Sequence, residues 1–257
     1  MPESELFQGA DAYERFMGRY SRLLAHELAR FAGVEPGDRV LDVGCGTGAL
    51  TRVLAEIVGA DKVAGTDPSA PFVEACRTDV PGADIRVGPA EALPFPDGAF
   101  DCALAQLVFS FVSDQAAAVR EMARVTRPGG RVAACVWDFT GGMKLIRSYW
   151  DAAHEVDPDA PDEKGRFGGQ PGELAALWRE AGLRDVVDDS LTVASGYEDF
   201  EELWQTFLGG VGPVGVHAVS LGDAQRAAVR EALWRRVGSP DGSFSLPARA
   251  WAVVGVV

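Results

Sequence analysis

Residues 40–50 read Val40-Leu41-Asp42-Val43-Gly44-Cys45-Gly46-Thr47-Gly48-Ala49-Leu50, and this stretch decides the fold. Its apolar beginning is typical of a parallel strand that is buried on both faces. Asp42 interrupts the apolar run, and a buried carboxylate is costly unless another group pairs with it. The glycines that follow allow positive φ and a close approach to the backbone. The stretch therefore predicts a strand, a ligand-binding turn and a helix.

Several kinds of glycine turn fit part of this pattern. A phosphate-binding P-loop ends in Gly-Lys-Ser/Thr, but no lysine lies between Arg39 and Lys62, which excludes it. A dinucleotide fingerprint matches Gly44, Gly46 and Ala49 on spacing alone, so it stays open. A purely structural turn between strand and helix stays open as well.

A second acidic residue supports an adenosine-containing ligand. Lys62 to Thr66 is predicted to be the second strand, and Asp67 follows it directly. A carboxylate about 20 residues beyond the glycine turn binds the ribose hydroxyls in dinucleotide sites. Alternatively, the sequence Asp67-Pro68-Ser69 caps the helix that is predicted to begin at Ala70.

The stretch 85–101, Ile-Arg-Val-Gly-Pro-Ala-Glu-Ala-Leu-Pro-Phe-Pro-Asp-Gly-Ala-Phe-Asp, discriminates between these ligands. With the Asp-x-Gly-x-Gly-x-Gly turn and the Pro-Gly-Gly turn at 128–130, it resembles the class I S-adenosylmethionine-dependent methyltransferases. The resemblance covers about residues 10–140 and is to the small-molecule, menaquinone/ubiquinone C-methyltransferase-like group. One position departs from the family pattern, since Pro89 stands where an acid is often found.

The resemblance implies S-adenosylmethionine as the cofactor and a set of residues that bind it. Asp42 and the glycine turn would hold the methionine end, Asp67 the ribose and the Ala90 region the adenine. Gln106 would bind either the amino group beside the sulfonium or simply a loop. The predicted cofactor-binding residues are Tyr20, Asp42, Gly44, Gly46, Gly48, Asp67, Pro68, Ala90, Glu91 and Gln106.

The same resemblance implies an α/β fold. We expect a doubly wound, Rossmann-like sheet of seven strands, mostly parallel with an antiparallel last strand, plus N-terminal helices and a helical lid. Residues 1–35 are predicted to be N-terminal cap helices, 36–140 the cofactor-binding core, and 141–257 the substrate lid and the completion of the sheet. The Pro/Gly/charged stretch 157–170 predicts a lid or a disordered connector, and 209–213 a flexible hinge.

Aromatic and soft apolar side chains suggest where an acceptor binds, although core packing explains any one of them equally well. The candidate pocket residues are Tyr13, Met17, Trp137, Phe139, Trp150, Trp204 and Phe207. His217 is the candidate for a catalytic base, and a surface histidine is the alternative. The sequence identifies no other catalytic residue.

Composition excludes several classes of partner. A net charge of −14 opposes binding to nucleic acid or an anionic membrane surface. The length of 257 residues suits one large α/β domain. The acidic start and the absence of a long apolar run predict a cytoplasmic protein. The four cysteines include no C-x-x-C pair, so we expect neither a metal site nor a disulfide. A monomer or homodimer is expected.

These observations favour a methyltransferase that moves the methyl group of S-adenosylmethionine to an O, N or C atom of a small organic acceptor. The alternative is a catalytically silent module that binds the same cofactor as a sensor or for interaction. An NAD-dependent oxidoreductase is disfavoured by the stretch around Pro94 and by the lack of a hydride-transfer constellation.

Overall fold

The computed structural model describes residues 14–257, so Tyr13 lies outside the described residues. The strands are β1 (Val40–Val43), β2 (Val63–Asp67), β3 (Asp84–Val87), β4 (Phe100–Gln106), β5 (Thr126–Trp137), β6 (Arg184–Tyr197) and β7 (Phe244–Val256). The helices are α1 (Arg19–Phe31), α2 (Ala49–Val58), α3 (Ala70–Asp79), α4 (Gln115–Val125), α5 (Lys144–Val156), α6 (Glu173–Glu180), α7 (Phe200–Leu208), α8 (Gly212–Ser220) and α9 (Asp223–Arg236).

The strands form one seven-stranded sheet in the order β3-β2-β1-β4-β5-β7-β6. Strands β1 to β5 pair in parallel, and β7 runs antiparallel to β5, with Arg131 opposite Val256. The predicted doubly wound sheet with an antiparallel last strand is confirmed. Strand order reverses between β1 and β4, and ligands of such sheets bind in the crevice at the carboxyl ends of those strands.

The buried first strand and its turn form as the sequence predicts. All four residues of β1 are buried, including Asp42, which is 1% exposed. Helix α2 begins after Gly48 and ends at Gly59, and it buries Leu50, Val53 and Leu54. A helix therefore starts directly above the carboxyl end of the central strand.

By its contacts, the described chain forms two compact units, each built from separate segments. The sheet unit contains residues 21–137, 167–191 and 250–257, and the helical unit contains residues 14–20, 138–166 and 192–249. The division into three consecutive segments stays a prediction. Among the described residues, every helix is too short or too polar to cross a bilayer.

The stretch predicted as a lid or disordered connector is an ordered loop where it belongs to the helical unit. Arg147 of α5 donates from Nη1 to Asp162 at 2.8 Å, and Trp150 donates from Nε1 to Glu163 at 2.9 Å. The predicted hinge at 209–213 also needs correction, because α8 begins within it at Gly212. Pro213 favours this helix start, since its fixed φ suits the first turn.

Candidate functional site

The turn after β1 is held in a left-handed conformation that suits its glycines. Gly44, Gly46 and Gly48 have φ of +74°, +52° and +100°. The backbone N–H groups of Gly44 and Cys45 donate to the carbonyl of Thr66 at 2.7 and 2.8 Å. The turn is therefore tied to the neighbouring strand β2.

Asp67 fastens the same turn from the end of β2. Its Oδ2 accepts from the N–H of Gly46 at 3.0 Å, and its Oδ1 accepts from the N–H of Ser69 at 2.8 Å. Burial raises the pKa of Asp67, and the two backbone hydrogen bonds oppose that rise. Ser69 is the N-cap residue of α3, so Asp67 holds the turn that precedes the helix. Each carboxylate oxygen still has a lone pair for a further donor.

Asp42 carries a buried oxygen that no described residue satisfies. Its Oδ2 accepts from the hydroxyl of Thr51 at 2.7 Å, whereas Oδ1 has no hydrogen-bond partner within residues 14–257. Burial raises the pKa of Asp42 to about 7, which the bond from Thr51 opposes and the nearby Asp67 charge increases. A buried polar atom without a partner calls for a physical explanation, such as a ligand.

Gln106 presents a second such oxygen at the end of β4. Its Nε2 donates to the backbone carbonyl of Ser21 at 3.0 Å, while Oε1 is buried without a partner among the described residues. Asp42 is paired with Leu104 in the sheet, two residues before Gln106. Two acceptor oxygens therefore lie at the carboxyl ends of the adjacent strands β1 and β4. This arrangement suits a cationic group with several N–H donors.

The predicted adenine residues lie beyond β3, and Glu91 is already engaged. Its Oε1 accepts from the N–H and the hydroxyl of Ser113 at 3.2 and 3.0 Å. Ala90 is 8% exposed, and Pro68 is exposed after β2. An adenine contact by Ala90 or Glu91 stays a prediction, as does a cofactor contact by Pro68.

The helical unit brings several predicted pocket residues together in an aromatic cluster, which consists of Tyr149, Trp150, Phe207 and His217. The ring centroids of Tyr149 and Phe207 are 4.7 Å apart, and those of Trp150 and His217 are 5.2 Å apart. The Tyr149 hydroxyl and His217 Nδ1 share a hydrogen bond of 2.8 Å. Burial lowers the pKa of His217. Trp204 lies beside the cluster, with its ring centroid 6.3 Å from that of Phe207.

The remaining predicted residues are buried in their own units. The hydroxyl of Tyr20 shares a 3.1 Å hydrogen bond with that of Tyr197, and burial raises the pKa of Tyr20. Met17 and Phe139 are buried in the helical unit, and Trp137 is buried in β5. Contacts of these side chains with a cofactor or an acceptor stay predictions.

Sequence reasoning missed one residue of the site, Thr51, and one structural feature each of the neighbouring residues Val108 and Leu107. Thr51 was a detectable candidate, because it is a polar residue between the apolar Leu50 and Val53 of an amphipathic helix. Val108 lies so close to the turn that a Cβ on Gly44 would be 2.4 Å from its Cγ2. Leu107 has a φ of +64°, which the sequence did not signal because leucine rarely adopts it.

Comparisons with known proteins match the part of the chain that contains this turn. A family model described as a methyltransferase domain matches residues 41–134. A demethylmenaquinone methyltransferase from Beutenbergia cavernae is 33% identical over 181 residues, covering 62% of this chain and 71% of that protein. A malonyl-acyl-carrier-protein O-methyltransferase from Serratia marcescens is 33% identical over 127 residues, covering 47% of this chain and 49% of that protein.

A solved structure assigned as a methyltransferase of an antibiotic biosynthesis pathway in Anabaena variabilis has the same fold. Its TM-score is 0.63 at 17% identity, with 91% of this chain and 97% of that chain covered. The chain belongs to the class I S-adenosylmethionine-dependent methyltransferases. It spans at most about half the length of the first curated relatives that it matches, namely 29%, 49% and 43%.

Proposed function

We propose that this chain transfers the methyl group of S-adenosylmethionine to an O, N or C atom of a small organic acceptor. The observation that carries the proposal is the pair of buried acceptor oxygens, Asp42 Oδ1 and Gln106 Oε1, which have no partner among the described residues. They lie at the switch point of the sheet, beside a turn of left-handed glycines. The ammonium group of the cofactor's methionine moiety supplies donors and a positive charge for both oxygens.

Other residues of the sheet unit would hold the rest of the cofactor. Asp67 keeps lone pairs for the ribose hydroxyls while it binds Gly46 and Ser69. A Cβ placed on Gly46 would meet nothing within 4 Å, which leaves space beside the turn for a ligand. The bound cofactor supplies a methyl group that its sulfonium already activates. The work of the chain is to bind the cofactor, align the acceptor and exclude water.

The names of the relatives, the aromatic cluster and the net charge bear on the nature of the acceptor. The two curated relatives are named for different acceptors, demethylmenaquinone and malonyl-acyl-carrier protein, so the methylated atom is left open. The aromatic cluster of the helical unit supports a flat or apolar molecule. A net charge of −14 disfavours a polyanion such as nucleic acid. A cytoplasmic location and a monomeric or homodimeric state stay predictions, which fractionation and light scattering test.

Calorimetric titration and a turnover screen test the proposal together. The full chain is titrated with S-adenosylhomocysteine and, separately, with NAD, and is then incubated with methyl-labelled S-adenosylmethionine and a panel of phenols, amines and quinone precursors. We expect binding of S-adenosylhomocysteine, no binding of NAD, and label in at least one acceptor. Binding without transfer to any acceptor would favour the silent module, and binding of NAD alone would overturn the proposal.

A further inference from the structure

Two thiols lie together beneath the glycine turn. Cys45 stands between Gly44 and Gly46 and is 5% exposed, and Cys76 of α3 is fully buried. They pack in one buried cluster with Val73 and Ile85. Both cysteines are reduced. A buried thiol pair thus lies at the turn that we assign to the cofactor.

Hydrogen bonds connect the thiol pair to Asp42. Cys76 donates from Sγ to the hydroxyl of Thr51 at 3.5 Å, and that hydroxyl donates to Asp42 at 2.7 Å. The surroundings are close-packed, since a Cβ on Gly48 would be 3.2 Å from Cys76 Sγ. A covalent change at the pair therefore affects both the turn and the carboxylate.

We propose that Cys45 and Cys76 form an oxidative modification site, at which hydrogen peroxide produces a disulfide that closes the glycine turn to the cofactor. The effect on the cofactor rests on the proposed function, whereas the formation of the disulfide does not. Cys102 and Cys135 are also buried in the sheet unit, but they lie in β4 and β5 and are not part of the thiol pair.

Formation of the disulfide is a two-electron oxidation, and hydrogen peroxide is the oxidant. The neighbouring Cys45 side chain lowers the pKa of the Cys76 thiol, and a thiolate is the reactive form. The Cys76 thiolate attacks one oxygen of the peroxide, and the O–O bond breaks. The released hydroxide takes up the proton that the thiol lost, so a sulfenic acid and one water form. Cys45 then attacks the sulfenic sulfur, the S–O bond breaks, and a second water leaves with the Cys45 proton. Two thiols lose two electrons, and the peroxide is reduced to two waters.

Formation of the disulfide has to move the turn. A disulfide brings the two sulfurs to about 2.05 Å, which is closer than any non-bonded contact of two thiols. Cys45 is joined through the backbone to Gly46, whose N–H binds Asp67. Drawing Cys45 toward α3 therefore displaces Gly46 and the hydrogen bond that positions Asp67.

The experiment uses the full chain, reduced, and exposed to a small molar excess of hydrogen peroxide. Intact mass and peptide mapping report whether a Cys45–Cys76 disulfide forms, with the loss of two hydrogen atoms. Calorimetry then measures the affinity for S-adenosylhomocysteine before oxidation, after oxidation, and after dithiothreitol. We expect the mapped disulfide and a loss of affinity of about tenfold or more that dithiothreitol reverses.

Two variants serve as matched controls. Cys76→Ser removes one thiol and keeps a small hydroxyl, so peroxide should leave its affinity unchanged. Cys135→Ser keeps the pair and should respond like the parent chain. The proposal is overturned if peroxide leaves the pair reduced, oxidises Cys102 or Cys135 instead, or forms the disulfide without a loss of affinity. If the reduced chain does not bind S-adenosylhomocysteine at all, the proposed function fails, and so does the effect on the cofactor inferred here. Intact mass and peptide mapping still show whether the disulfide forms.

Discussion

Thr51 donates a hydrogen bond of 2.7 Å from its hydroxyl to Oδ2 of Asp42, and so links the first turns of α2 to the buried strand β1. The other oxygen of Asp42 has no partner within residues 14–257. The hydroxyl of Thr51 therefore fixes which carboxylate oxygen is left for a ligand.

Thr51→Val removes this hydroxyl and keeps the shape of the side chain. A buried carboxylate oxygen then loses its donor, which costs about 1–3 kcal/mol of unfolding free energy. Urea unfolding of the ligand-free protein measures the loss, and Thr51→Ser, which keeps the hydroxyl, is the matched control. Equal stability of the valine variant and the parent would show that the bond contributes nothing.

The raised pKa of Asp42, about 7, predicts a pH dependence of stability. The folded chain keeps the proton at pH values where the unfolded chain, with an ordinary aspartate pKa of about 3.9, has lost it. The free energy of unfolding should therefore fall as pH rises from about 4 to about 7. Asp42→Asn should lack this slope. The measurement compares the thermal midpoints of the two ligand-free proteins at about pH 5 and about pH 8. Each kcal/mol of unfolding free energy should shift the midpoint by about 2–4 °C.

Ligand binding should show the opposite dependence on pH. A cationic cofactor favours the ionised carboxylate, so affinity for S-adenosylmethionine should rise between about pH 6 and about pH 8 in the parent chain. The Asp42→Asn variant should bind more weakly and with a flatter profile. Parallel pH profiles of the two proteins would contradict the assignment of Asp42 to the methionine ammonium.

Asp67→Ala should affect binding and stability together. The change leaves two backbone N–H groups without their acceptor, and it removes the proposed ribose contacts. We expect at least about tenfold weaker binding of S-adenosylhomocysteine, since charge-assisted hydrogen bonds contribute about 1.5–3 kcal/mol. Asp67→Asn keeps an acceptor oxygen and should recover part of the thermal midpoint but little of the affinity. Asp79→Ala, which removes an acid paired with Arg52, should leave the affinity unchanged.

The glycine turn distinguishes ligand contact from internal packing. Gly46→Ala places a Cβ where nothing lies within 4 Å, so we expect a folded protein with weakened S-adenosylhomocysteine binding. Gly44→Ala instead meets Val108 at 2.4 Å and should lower stability by about 1–3 kcal/mol. The control is Gly182→Ala, which has a φ of +86° and open space. If Gly46→Ala binds as tightly as the control, the ligand does not approach this residue.

His217 should make the helical unit sensitive to acid. Burial lowers its pKa, with Asp157 opposing and His154 reinforcing the shift. The folded state therefore resists protonation, and stability should fall as pH drops below the ordinary histidine value of about 6.5. His217→Asn should lose this slope in urea unfolding between about pH 7 and about pH 5. Tyr149→Phe, which leaves the imidazole in place, should retain it.

The parts of the fold that follow from local patterns were predictable from the sequence. The run 40–43 forms the predicted buried strand, and α3 begins at Ala70 as predicted. Strand β4 ends at Gln106, because Leu107 adopts a positive φ. No local pattern predicts such a conformation in a leucine.

Partners that are distant in the sequence were not predictable. Tyr20 reads as a cofactor-binding residue, yet its hydroxyl meets that of Tyr197, 177 residues away. Glu91 reads as a possible adenine ligand, while one of its oxygens binds Ser113. Composition and periodicity give the face on which a side chain lies, but three-dimensional packing decides which group it meets.

The position of β7 has a consequence for the order in which the chain is made. Strand β6 precedes β7 in the chain, but its neighbour in the sheet is β7, which separates it from β5. During synthesis β5 and β6 therefore leave the ribosome before the strand that joins them exists. Over that interval β5 presents an open edge of N–H and C=O groups, which is prone to pair with other chains. Completion of this sheet has to wait for translation of residues 244–256.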